Sequence, residues 1–125
     1  MKNQKETISQ ALQRQRRMMS LNGILDFSNV SSNDFSTIGT QKALKTLIFD
    51  GSSISSLHTL PPQPSLSKIS ANNTSLNTLA GLATQPKLSS VSFINTPISK
   101  VENFRLSVLL AVGLRLSEIN GSRVT

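Results

Sequence analysis

Three lines of sequence decide the fold: LKTLIFDGSSISSL at residues 44–57, LSKISANNTSLNTL at 66–79 and LSSVSFINTPISKV at 88–101. Each runs apolar, two free positions, apolar, one free, apolar or small. Four free positions follow, then an aliphatic residue and a last apolar one three further on. The anchors Leu47, Ile69 and Val91 are 22 residues apart both times, and another 22 back lies Leu25, opening the similar Leu25-Asp26-Phe27. A fixed period in the twenties marks stacked repeats, units that cannot bury their apolar face alone and do so against a neighbour. The spacing predicts short strands centred on the anchors, with Phe49, Ala71 and Phe93 as inward partners. Each strand is expected to pair in parallel with the next repeat's strand.

Beyond each strand the chain has to bend, and Val30, Ser52, Thr74 and Thr96 occupy the bend. The hydroxyls of Ser52, Thr74 and Thr96 suit hydrogen bonds to nearby backbone, which makes them structural. Ile54, Leu76 and Ile98 fill the core behind the bend, and Leu57, Leu79 and Val101 line the return. Pro61, Pro62 and Pro64 break any long helix between the second and third repeats, so short helical or 3₁₀ turns are expected on that side. The first repeat is loose. Asn22 stands where Leu44 would be and Ser32 where Ile54 would be, with Leu21 and Val30 as inward substitutes, while Phe35 and Ile38 match Leu57 and Leu60.

Both ends depart from the period. Residues 1–20 form an amphipathic helix, with Asn3 and Glu6 as a capping box and a stripe of Ile8, Leu12 and Met19 flanked by Ala11 and Met18. Such a helix covers the outer side of the first repeat, which has no neighbour. At the other end the anchor expected at Gly113 arrives at Ile119, six residues late. The insertion holds an apolar helix over residues 103–112, ended by Gly113, and a closing strand follows at residues 118–120.

Asn103-Phe104-Arg105-Leu106, and then residues 116–125 (LSEINGSRVT), resemble the C-terminal cap of 22-residue leucine-rich repeat proteins. That family is typified by the regulatory subunit of type-one protein phosphatase and the spliceosomal A-prime protein. The chain departs from the family pattern at Phe104 for Tyr, Gly113 for Pro and Asn120 for Asp, and the first costs a hydroxyl. The resemblance spans residues 21–125. It implies an α/β fold class: one leucine-rich repeat domain over residues 1–125, a short solenoid with a parallel concave sheet. An N-terminal capping helix fills 1–20, four repeats 21–101 and a helix-containing cap 102–125. Members of the family serve as regulatory subunits, splicing factors and scaffolds.

Chemistry is sparse. With no cysteine, disulfides and thiolate metal sites are excluded, and His58 is the sole histidine. Asp26 and Asp50 lie on an open sheet without the pocket that general acid–base catalysis needs. The glycines are turn residues at scattered offsets, not a phosphate loop. No enzyme activity, cofactor, metal or small-molecule substrate is expected. The concave face is the candidate binding surface, with Ile24, Asp26, Ile48, Asp50, Lys68, Asn72, Ser92 and Ile94 as its site residues. Its isoleucines suit strands by propensity alone, and equally serve as anchors for a partner protein. No aromatic residue lies on that face to stack a base.

The formal net charge is +7, and residues 1–20 supply five basic side chains against Glu6. Arg14, Arg16 and Arg17 are either the solvated face of the capping helix or a contact for RNA or an acidic partner. The expected function is therefore a scaffold or regulatory module binding another protein. A ribonucleoprotein component with the basic helix near RNA is the alternative. Absent cysteines, a polar start without a signal-peptide core and no membrane-length apolar run point to an intracellular protein.

Overall fold

Leu25, Leu47, Ile69 and Val91 lie side by side on neighbouring strands, paired in parallel and in register, each fully buried. The computed structural model describes residues 7–28, 30, 35–113 and 115–123. In chain order these hold α1 (Ile8–Asn22), β1 (Ile24–Asp26), β2 (Thr46–Ile48), β3 (Lys68–Ser70), β4 (Ser90–Ser92), α2 (Phe104–Val112), β5 (Glu118–Ile119) and β6 (Ser122–Arg123). The architecture is mixed α/β: one open six-stranded sheet in the order β1-β2-β3-β4-β5-β6, with two α-helices. Each strand is three residues or fewer, and in β1 to β5 the single buried apolar residue of the strand fixes the register. A slip of one position would turn the anchor into water.

The late anchor also falls into line, because Ile119 pairs with Val91 across the six-residue insertion. The sheet is not wholly parallel, however. After Ile119 the chain reverses at Asn120 and Gly121, and β6 pairs antiparallel with β5. The closing strand thus ends at Ile119, and a hairpin follows it.

The core lies on one side of the sheet. Phe27, Phe35 and Phe49 interlock with ring centroids 5.2–6.2 Å apart, and Phe93 meets Phe104 edge-on at 6.5 Å. Ala71 lies between these two aromatic groups at the position that Phe27, Phe49 and Phe93 hold in the neighbouring strands. Leu44, Leu66, Leu88 and Leu116 form another buried row just ahead of β2, β3, β4 and β5. The return side is built from turns and two 3₁₀ segments, Ser36–Ile38 and Ile98–Lys100. Leu57 is buried there and Leu79 half-buried, but Val101 is exposed, because the chain leaves the 22-residue path at that point to enter α2.

Two hydrogen-bonded rows tie successive turns together. The carbonyl of Gly23 accepts from the N–H groups of Lys45 and Thr46; that of Lys45 from Ser67 and Lys68; that of Ser67 from Ser89 and Ser90; that of Ser89 from Ser117 and Glu118. On the return side Gln41, Gln63 and Gln85, again 22 residues apart, form a buried ladder. The Gln41 N–H donates to Gln63 Oε1 at 2.8 Å, and the Gln63 N–H to Gln85 Oε1 at 2.8 Å. Gln63 Nε2 donates to the carbonyls of Gly39 and Pro61. Arg115 continues the ladder by donating to the Gln85 carbonyl at 2.6 Å. Buried amides survive only when paired, and those of Gln63 and Gln85, both fully buried, are paired on both ends.

The bends behave unequally. Thr74 and Thr96 each donate to the carbonyl three residues back, Ala71 and Phe93, and each accepts a backbone N–H, from Leu76 and Ser99. Ser52 does not follow; its buried Oγ has no hydrogen-bond partner among the described residues. Val30 is buried as expected, whereas Leu21 points to solvent, since α1 continues through Asn22 and carries Leu21 on its outer face. Ser32 lies outside the described residues.

α1 begins later than residue 1. Thr7 accepts from the Gln10 N–H while Gln10 Oε1 accepts from the Thr7 N–H, a complete capping box. Asn3 and Glu6 lie outside the described residues. No helix among the described residues is long and apolar enough to cross a membrane.

Candidate functional site

The exposed face of the sheet carries three rows of side chains. Ile24, Thr46, Lys68, Ser90 and Glu118 form the first by strand pairing, and Asp26, Ile48, Ser70 and Ser92 the second. Asp50, Asn72 and Ile94 follow two residues beyond the second row. All eight sheet residues expected from sequence lie on this face, but they do not act alike.

Three polar members of the set, Asp50, Asn72 and Ser92, are committed to the sheet itself. Asp50 Oδ1 accepts from Ser70 Oγ at 2.7 Å and from the Asn72 N–H at 2.9 Å. Asn72 Oδ1 in turn accepts from Ser92 Oγ at 2.7 Å and from the Ile94 N–H at 2.8 Å. One turn further, Asn120 Oδ1 accepts from the Phe93 N–H. Asp50, Asn72 and Ser92 therefore carry the strands' hydrogen bonding past their ends, and their side chains are largely spent. A period of 22 in Asp50 and Asn72 is visible in the sequence, but a carboxylate or amide on a strand reads equally as a partner contact.

The apolar members are split. Ile24 and Ile48 sit diagonally on adjacent strands, a separation of about 7–8 Å at which large side chains still touch. Ile94 lies two strands from Ile48 and one row further on, roughly 12 Å away from strand spacing and rise, with Ser70 and Ser92 between. Ile94 is 49 % exposed and Ile24 38 %, while Ile48 is half-buried. Lys68 is exposed one strand over from Thr46.

The structure also joins two regions that sequence spacing keeps apart. α1 packs along β1, and Gln15 reaches the strand edge: its Oε1 accepts from the Asp26 N–H at 2.6 Å and its Nε2 donates to the Asp26 carbonyl at 2.5 Å. A side-chain amide thus takes the place of a neighbouring strand. This brings Arg14 and Met18 beside Ile24, Asp26 and Ser28, which together with Gln15 line a recess of about 390 Å³. Arg16 and Arg17 lie on the exposed side of the same helix, and Ser28 donates its N–H to Asp26 Oδ1. Gln15 escaped sequence reading although it continues the stripe Ile8-Ala11-Met19 at helical spacing; a polar residue within an apolar stripe was the signal.

His58 sits on the surface of the return side with Nδ1 2.9 Å from Ser56 Oγ. That oxygen also accepts the His58 backbone N–H at 3.2 Å, so the pair closes its own turn. No family model matches the chain, and neither does any curated protein.

Proposed function

We propose that the chain is a leucine-rich repeat solenoid of the 22-residue type and a non-enzymatic module that binds a partner protein across the exposed face of its sheet. The solenoid reading is supported by in-register parallel pairing at a spacing of 22 residues and by the two hydrogen-bonded rows that repeat with it. The family's cap is supported by Arg105, whose guanidinium donates to the carbonyls of Ile119 and Arg123 and so ties α2 to the closing hairpin. Val124 and Thr125 lie outside the described residues.

One observation carries the binding reading: with the core wholly on the other side, this face still holds Ile24, Ile48 and Ile94 among side chains already engaged with one another. Apolar groups left on an otherwise satisfied surface are what a partner buries. Ile48→Arg and Ile94→Arg are expected to abolish capture of the partner from extracts of the native host. Unchanged capture by both variants overturns the choice of surface.

A second reading rests on α1, which carries Arg14, Arg16 and Arg17 and no acidic residue. As a ribonucleoprotein component, the protein would bind RNA with an affinity that falls steeply with salt, because each phosphate contact releases counterions. Binding that stays flat as salt rises removes this reading.

A further inference from the structure

The apolar strip of the sheet face does not stop at β1. Met18 of α1, 52 % exposed, and Ile24 of β1 share the recess walled by Arg14, Gln15, Asp26 and Ser28, and Ile48 lies diagonally beyond Ile24. At about 390 Å³ the recess falls within the size range of small-ligand sites and accommodates one large side chain. We propose that it receives a single large apolar side chain of a peptide segment whose acidic residues lie over α1. The proposal rests on the reading of the sheet as a protein-binding surface and names the chemistry of the partner.

Charge sets the sign and the direction. α1 presents Arg14, Arg16 and Arg17 with no carboxylate over its fifteen residues, whereas the sheet face mixes Asp26, Asp50, Lys68 and Glu118. Partner carboxylates are therefore favoured on the helix side of the anchor and disfavoured over Asp26. The mode of binding follows from Gln15. Because its amide occupies both the N–H and the carbonyl of Asp26, an incoming strand cannot add to β1 there, and recognition has to come from side chains. Met18 suits the lining, since an unbranched, polarizable thioether adapts to differently shaped guests. Nucleic acid lacks a platform: all five phenylalanines are buried, and the chain has neither Tyr nor Trp on which a base would stack.

The test is selection of random twelve-residue peptides displayed against the full chain, followed by methyl NMR with the enriched peptides. Enriched sequences are expected to hold one Leu, Met or Phe with Asp or Glu clustered on one side, and to shift the Met18 and Ile24 methyl signals. Met18→Glu, at an exposed helix position, is expected to weaken them about tenfold or more, with Leu110→Glu on the outer face of α2 as the unchanged control. Three results overturn the proposal: no enrichment, enrichment of neutral or basic peptides, or shifts at Ile48 and Ile94 without Met18. Displacement of the peptides by oligouridylate at lower concentration also overturns it, in favour of RNA. The sheet reading fails separately, when Ile48→Arg and Ile94→Arg leave host-partner capture intact.

Discussion

At Gly81 the backbone has φ of 96°, and a Cβ placed there would lie 2.1 Å from the Leu57 carbonyl oxygen, one turn below. Neither the angle nor the clash can relax without separating two turns of the stack. Gly81→Ala is therefore expected to cost about 3 kcal/mol, read from the midpoint of urea unfolding. Gly51 is the matched control, with φ of 78° and open space around it; alanine there costs about 1 kcal/mol from the angle alone. Gln63 is the polar counterpart. It is fully buried, and removing its amide strands the Gln41 N–H and the Gly39 carbonyl. Gln63→Ala is expected to lose about 3 kcal/mol in the same assay, from unpaired groups plus a cavity. The 22-residue spacing of Gln41, Gln63 and Gln85 stands in the sequence as plainly as that of the leucines. It was illegible as structure because glutamine is ordinarily a surface residue, and only the fold shows carbonyls waiting for it.

Among the elements, α1 shows how a helix is read correctly and still misjudged. Of its stripe Ile8, Leu12 and Met19, with Ala11 and Met18 at the flanks, Ile8, Ala11 and Met19 are buried, Leu12 is half-buried and Met18 is exposed, because the buried face is centred on Ala11 and Gln15. Its start was misplaced, since Asn3 with Glu6 and Thr7 with Gln10 share one capping pattern four residues apart. The side that mattered most was set by Gln15. Gln15→Leu is expected to cost about 2 kcal/mol by leaving the Asp26 amide and carbonyl unpaired at a covered edge. Amide exchange at Asp26 should quicken more than at Ile48, which distinguishes loss of the edge contact from general weakening. The closing strand at Glu118–Ile119 is legible from its anchor, but β6 is not, because a strand of two exposed residues is too short for alternation to register.

For the whole molecule, the row of carbonyls at Gly23, Lys45, Ser67 and Ser89 makes each turn the template for the next. No turn has a core of its own, so the backbone amides of Thr46, Lys68 and Ser90 are expected to exchange together, at the free energy of global unfolding. Separate exchange classes for these three would show independent subunits of stability. The 22-residue spacing was legible because Leu25, Leu47, Ile69 and Val91 are each buried at the same place in their strands. The recess between α1 and β1 was not, because it arises where the period ends and two distant segments meet. Closure at the two ends has its own consequence. All the strands from β1 to β5 run one way, so the first edge and the last are complementary rather than alike. Gln15 at one end and the reversed β6 at the other are what stop one molecule from docking head to tail on the next. Stripped of both, the two edges would be free to pair head to tail, a contact that adds molecules without limit unless its rotation closes a ring.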